Sequence, residues 1–158
     1  MLQPLLASAL ASRNQSARPR VLVVDDDIDV ARLMVRALRP SCDVVEVHDG
    51  GIALLRITAG DPYDVILLDL HLPRVDGRAI YEKLSVAAPS LLDDVVIVTG
   101  GAKTSEETAF LASIPNEMLE KPFAIRDLRA VVERARRRRT GRPSGFSIGV
   151  TGVVWSSL

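Results

Sequence analysis

Three short runs of unbroken apolar residues constrain this chain more than any other feature. They are Val21-Leu22-Val23-Val24, Val65-Ile66-Leu67-Leu68 and Val95-Val96-Ile97-Val98. Each is too short for a buried helix and is bounded by polar or turn-forming residues, so each reads as a strand covered on both faces. Each also runs into polar chemistry: Asp25-Asp26-Asp27 after the first, Asp69 after the second, Thr99-Gly100-Gly101 after the third. Asp69 taken alone is better read as an acid that opens a loop or caps a helix. Its significance depends on what the neighbouring strands deliver beside it.

Between the runs the apolar spacing becomes helical. Val30, Leu33, Met34, Ala37 and Leu38 predict one face of an amphipathic helix closed by Pro40, with Asp27 as its cap. Residues 50–59 read as a weaker helix, stopped near Gly60-Asp61-Pro62. Ile80, Leu84 and Ala87 place another over about 77–87, and Pro89 ends it. Thr104 and Glu107 have the form of a capping box for a short helix that ends before Pro115. Ile125, Leu128, Val131, Val132 and Ala135 mark the last helix. Two mixed strands, residues 43–47 and 117–120, carry acids among their apolar residues and are therefore expected at the sheet edges.

Strand and helix thus alternate five times. That predicts an α/β fold with a doubly wound, five-stranded parallel sheet. With the apolar strands central and the mixed strands outside, the expected order is 2-1-3-4-5, the flavodoxin-like (βα)5 arrangement. Residues 1–18 read as an N-terminal tail or linker, 19–139 as the domain, and 140–158 as a Gly/Ser-rich tail. Phe146, Ile148, Val150, Val153, Val154 and Trp155 leave open a strand or hairpin within that tail.

Composition narrows the functional classes. Twenty basic and twenty acidic residues cancel, so no overall excess of positive charge points to nucleic acid. Arg134 and Arg136 to Arg139 form a basic run at a helix C-terminus, which reads as a solvated end that suits the helix dipole. No helix-turn-helix or similar reading module follows. No apolar stretch approaches the ~20 residues of a membrane helix. The single cysteine, Cys42, forms neither an internal disulfide nor a metal-ligand pattern, so a cytoplasmic location is expected. His48, beside Asp49-Gly50, reads as an exposed bystander.

In a parallel sheet all carboxyl ends share one edge. Asp25 and Asp26 (strand one), Asp69 (strand three), Thr99 (strand four) and Lys121 (strand five) should therefore converge. Like-charged carboxylates ~4 Å apart repel by roughly 4 kcal/mol at an effective dielectric near 20. Such a cluster must bind a cation or hold a proton, and an oxygen-only ligand set suits Mg2+. Lys121 adds positive charge, Thr99 offers a hydroxyl donor, and Gly100-Gly101 leaves room for a substrate. Together these groups suit formation of an aspartyl phosphate.

At this point the chain resembles the receiver domains of the bacterial response-regulator family. The resemblance covers about residues 19–139 and is carried by four motifs in order. They are Val21 to Asp26, Val65 to Asp69 with Leu72-Pro73 and Asp76-Gly77, Val98-Thr99-Gly100, and Glu120-Lys121-Pro122-Phe123. It implies that Asp69 accepts phosphate from a histidine kinase or phosphotransfer protein. It further implies Mg2+ held by Asp25, Asp26, Asp69 and the backbone carbonyl of His71, with Thr99 and Lys121 on the phosphoryl group. It implies a cis Lys121–Pro122 peptide and signalling to a downstream protein through the fourth helix, fifth strand and fifth helix, a face that also serves family homodimers. The chain is then either a stand-alone receiver or the receiver of a hybrid histidine kinase, and is not an enzyme in the usual sense. Two positions depart from or vary within the pattern. Met118 stands where the family usually has an aromatic switch residue, and His71 occupies a variable place thought to tune phosphoryl lifetime. The enzyme-class alternative is a Mg-dependent phosphatase of the haloacid-dehalogenase type, suggested by the Asp-x-Asp of residues 25–27. It lacks the further acidic motif expected after Lys121 and leaves Asp69 without a role.

Overall fold

The apolar runs form the centre of the sheet. In a computed structural model that describes residues 18–141, the strands are β1 (Arg20–Val24), β2 (Asp43–Val47), β3 (Val65–Asp69), β4 (Val95–Thr99) and β5 (Met118–Glu120). All pair in parallel, in the order β2-β1-β3-β4-β5. Every residue of β3 and β4 is buried, whereas β2 and β5 expose Asp43, Met118 and Glu120. The acids mixed into these strands therefore set the order: only an edge strand keeps alternate side chains in water.

Five α-helices connect and flank the strands: α1 (Ile28–Leu38), α2 (Gly50–Thr58), α3 (Gly77–Ala87), α4 (Ser105–Ser113) and α5 (Ile125–Thr140). The two-residue alternation of the strands divides the core. Val21, Val23, Val65, Leu67, Val96 and Val98 pack with α1 and α5. Leu22, Val24, Ile66, Leu68 and Ile97 point to the opposite layer, formed chiefly by α2 and α3. The expected order and layering are those observed.

The details differ from the sequence reading at several places. The buried face of α1 is Ala31, Met34, Val35, Ala37 and Leu38, while Leu33 is exposed. Ala31 is fully buried and Val35 nearly so, which rotates the contact stripe relative to the one drawn through Val30 and Leu33. Ile125 and Ala87 are likewise exposed at the helix ends. A 3-10 turn over Pro89–Asp94 follows α3, where only a stop was expected. Asp27 does cap α1, accepting the Asp29 and Val30 amides at 3.0 and 3.2 Å.

The arginine run is solvated over Arg134, Arg137 and Arg138, as expected, but its end is also tied down by ion pairs. Arg139 donates to buried Asp94 at 2.6 Å and to the Tyr63 carbonyl, and lies 3.5 Å from Asp64. Arg134 and Arg138 both reach Glu117, and Arg136 and Arg137 both reach Glu133. The Glu133 pairs stay within α5, whereas the Glu117, Asp64 and Asp94 pairs stitch its end to the amino edge of the sheet, a closeness that sequence distance hides. The readings of residues 1–17 and 142–158 lie outside the described residues.

Candidate functional site at the carboxyl edge

Register brings the polar strand ends together. Val24 pairs with Leu68, and Asp69 pairs with Val98, so Asp25, Asp69 and Thr99 leave three adjacent strands at nearly one level. Carboxylate oxygens of Asp25, Asp26 and Asp69 all lie within 4.8 Å of one another. Asp25, Asp69 and Thr99 are buried, and Asp26 faces solvent at the rim. Lys121, just past β5, reaches across with its ammonium 2.6 Å from Asp25 Oδ2 and 3.3 Å from Asp69 Oδ2. Its backbone amide donates to the Thr99 carbonyl at 2.7 Å, and the peptide to Pro122 is cis.

The remaining lone pairs are partly committed. Asp25 Oδ1 accepts the Asp27 amide at 2.9 Å, and Asp69 Oδ1 accepts the His71 amide at 3.2 Å. Thr99 Oγ1 accepts the Gly101 amide at 3.1 Å, which holds the hydroxyl at the mouth of the β4–α4 loop. Gly101 itself has φ +97°, a left-handed backbone for which glycine is suited. Gly77 has a different reason: its amide donates to the Leu70 carbonyl, and a Cβ there would overlap the Asp69 carbonyl oxygen. The Asp76-Gly77 pair thus lets the capped start of α3 sit directly against the Asp69 backbone, with Asp76 accepting the Ala79 amide at 2.7 Å.

Electrostatics leave this edge short of positive charge. Burial pushes the Asp25 carboxyl above its ordinary range; the Lys121 hydrogen bond opposes this, and Asp69 adds repulsion. Burial alone would lower the Lys121 pKa, yet the carboxylates of Asp25 and Asp69 outweigh it and keep the ammonium charged. At Asp25, the Lys121 ammonium therefore does not offset burial together with repulsion from Asp69. The donor set is all oxygen and opens to solvent through Asp26, which fits a hard divalent cation that retains water.

Two residues of this region eluded the sequence reading. His48 is not a bystander: Nδ1 lies 2.8 Å from the Asp25 backbone carbonyl and Nε2 3.0 Å from Glu46. It braces the β1 end from β2, and only the β1–β2 pairing reveals this. Glu107, expected as a cap, also lies 3.2 Å from His71 Nε2. The capping box is modified, because Glu107 accepts the Lys103 amide while Thr104 accepts that of Glu107 at 3.1 Å. Met118 does not line the acidic cluster. It pairs with Ile97, two positions below Thr99, and is 41% exposed.

The five-stranded order and an acidic cluster paired with a lysine at its carboxyl edge define a phosphoacceptor module of the receiver class. The response regulator receiver domain model matches residues 21–133, and the chain belongs to that family. It is 35% identical over 139 residues to "Response regulator MprA" of Mycobacterium ulcerans (strain Agy99), a match spanning 88% of this chain and 59% of that protein. It is 33% identical over 123 residues to "Response regulator protein PmrA" of Pseudomonas aeruginosa, spanning 78% and 55%. The chain therefore spans somewhat over half the length of these curated relatives. Among solved structures, a sensor protein from Polaromonas sp. JS666 matches with TM-score 0.67 and 31% identity, covering 77% of this chain and 98% of that one. The Francisella response regulator 1452 receiver domain matches with TM-score 0.65 and 29% identity over similar shares. The chain is thus a receiver module of two-component signalling, and these matches lend the phosphatase alternative no support. Among the described residues no helix is long and apolar enough to cross a membrane.

Proposed function

We propose that Asp69 is the phosphoacceptor, charged by a histidine kinase or phosphotransfer protein and acting in the cytoplasm. The observation that carries this reading is the convergence of Asp25, Asp26 and Asp69 with Lys121 on the one edge where all strands end. In this reading Asp25, Asp26, Asp69 and the His71 carbonyl hold Mg2+, which supplies charge neutralisation when bound. The Asp69 carboxylate attacks phosphorus as the donor P–N bond breaks, and the donor imidazole leaves with a proton from solvent. Lys121 balances charge on the transferred group. Thr99 reorients from Gly101 to donate to a phosphoryl oxygen. Residues 19–139 act as the receiver, flanked by 1–18 and 140–158.

The proposed output is a change in the face formed by α4, β5 and α5, read by a downstream protein or by a second copy of the chain. Met118 replaces an aromatic switch with a flexible, unbranched side chain, which blunts the transition. Met118→Tyr should sharpen it, and amide NMR with beryllofluoride across residues 104–138 measures this. Identical shifts in wild type, Met118→Tyr and Met118→Ala would remove Met118 from the switch.

The decisive experiment is labelling with acetyl phosphate and Mg2+. Wild type should gain one acid-stable, base-labile phosphoryl group, and Asp69→Asn none. Chelation of Mg2+ should also stop labelling, because the acids alone repel the donor. Undiminished labelling of Asp69→Asn rejects the assignment.

A further inference from the structure

The helix on the proposed output face is weakly held. No residue of α4 is fully buried. Phe110, Leu111 and Ile114 pack only partly against the core, Phe110 meets Tyr81 edge-on at 5.5 Å, and Arg78 lies over the Phe110 ring. Among the described residues, the side-chain contact that joins the first turn of α4 to the loop after β3 is His71–Glu107. Both ends of that contact are committed elsewhere. The His71 amide donates to Asp69 Oδ1, and Glu107 accepts the Lys103 amide that leads into α4. The Lys103 hydrogen bond, with help from His71, holds Glu107 below the usual carboxylate range, so an ionised Glu107 accepts from His71 Nε2. An unbroken chain of contacts thus runs from the Asp69 carboxylate through His71 and Glu107 to the cap of α4.

We propose that His71 and Glu107 form a strap that holds α4 in its resting position, and that occupation of the acidic pocket releases it. The proposal rests on the reading of Asp69 and its neighbours as the phosphoryl and metal site. When a phosphoryl group takes the Asp69 oxygen and the His71 carbonyl is drawn toward a cation, the loop after β3 shifts and His71 no longer meets Glu107. Among the described residues, the first turn of α4 then keeps only the long Arg78–Glu106 contact to α3, at 4.0 Å. Glu107 is a positioning residue here, since it touches neither the phosphoryl group nor the cation. Linkage makes the effect reciprocal: whatever free energy the strap contributes to the resting state opposes occupation of the pocket.

The test uses the full chain, saturating Mg2+ and beryllofluoride as the probe, with affinity measured by calorimetry and α4 mobility by amide hydrogen exchange. His71→Phe removes the strap but leaves both caps. Glu107→Ala removes the strap and one cap. Thr104→Ala removes the other cap and leaves the strap. His71→Phe and Glu107→Ala should each tighten beryllofluoride binding about three- to tenfold, and the double variant should tighten it no further than Glu107→Ala alone. Both should speed resting exchange of residues 105–108, and beryllofluoride should speed it little more. Thr104→Ala should speed exchange without changing affinity. Unchanged affinity in the strap variants, additive effects in the double variant, or equal tightening by Thr104→Ala overturns the strap. If wild type fails to bind, or Asp69→Asn binds as well, the phosphoryl-site reading fails and the strap falls with it.

Discussion

The two edges of the sheet use the same side-chain chemistry to opposite ends. At the amino edge Asp64, Asp94 and Glu117 face Arg134, Arg138 and Arg139. Acids and bases balance, and Arg139 bridges the loops before β3 and β4. At the carboxyl edge Asp25, Asp26 and Asp69 face Lys121. That set carries unbalanced negative charge around buried oxygens. The first arrangement is complete in itself and can only stabilise. The second gains most when something positive arrives, which is what a binding site requires. A carboxylate beside a cation is thus uninformative until the local charge is counted.

The largest expected effect that sharpens this contrast is at Asp69. Asn there should reduce acetyl-phosphate labelling to background, whereas Asp94→Ala at the amino edge should leave labelling at the wild-type level. Loss of labelling in Asp94→Ala with the fold intact would break the division of roles. Asp94→Ala should instead lower the free energy of unfolding by about 2–3 kcal/mol, since it leaves Arg139 short of a buried partner. Urea denaturation measures this, and a change within ~0.5 kcal/mol would show that the amino-edge network is surface decoration.

Asp26→Ala should move stability the other way. Removing one of three mutually repelling acids should leave metal-free stability unchanged or raise it by about 0.5 kcal/mol. The same change should weaken Mg2+ binding at least about tenfold, since direct carboxylate ligation dominates affinity for this ion. A marked loss of metal-free stability would make Asp26 a structural residue.

The smallest effect is at Glu133. Its bonds to Arg136 and Arg137 hold the carboxyl at about 2, below its ordinary value of 4.5. A depressed carboxylate stabilises the fold above its unfolded pKa, and that contribution is lost as pH falls from about 4.5 through about 2. Because the pair is largely solvent-exposed, Glu133→Gln should cost only about 0.5 kcal/mol at neutral pH. The difference from wild type should vanish toward pH 2, whereas a difference independent of pH would exclude the ion pairs as its origin.

Much of this architecture was legible in the residues. Unbroken apolar runs against acid-containing ones decide which strands are central, because burial on two faces admits no charge. Parallel pairing then forces Asp25, Asp69, Thr99 and Lys121 to one edge whatever the loops do. Helix caps at Asp27 and Thr104 were also readable, since capping is local. The rotation of the α1 face was not, because Ala31 counts little in a hydrophobicity pattern yet is fully buried.

Tertiary structure alone decided the pairings across loops. His48 braces Asp25 from 23 residues away, His71 meets Glu107 across 36, and Arg139 reaches Asp94 across 45. Each depends on a side-chain reach of a few ångströms, set by helix rotation and loop path. Periodicity fixes which face of an element is buried and which end of a strand carries its acid. It is silent on such distances, because many loop paths satisfy the same apolar pattern and only the packed chain selects one.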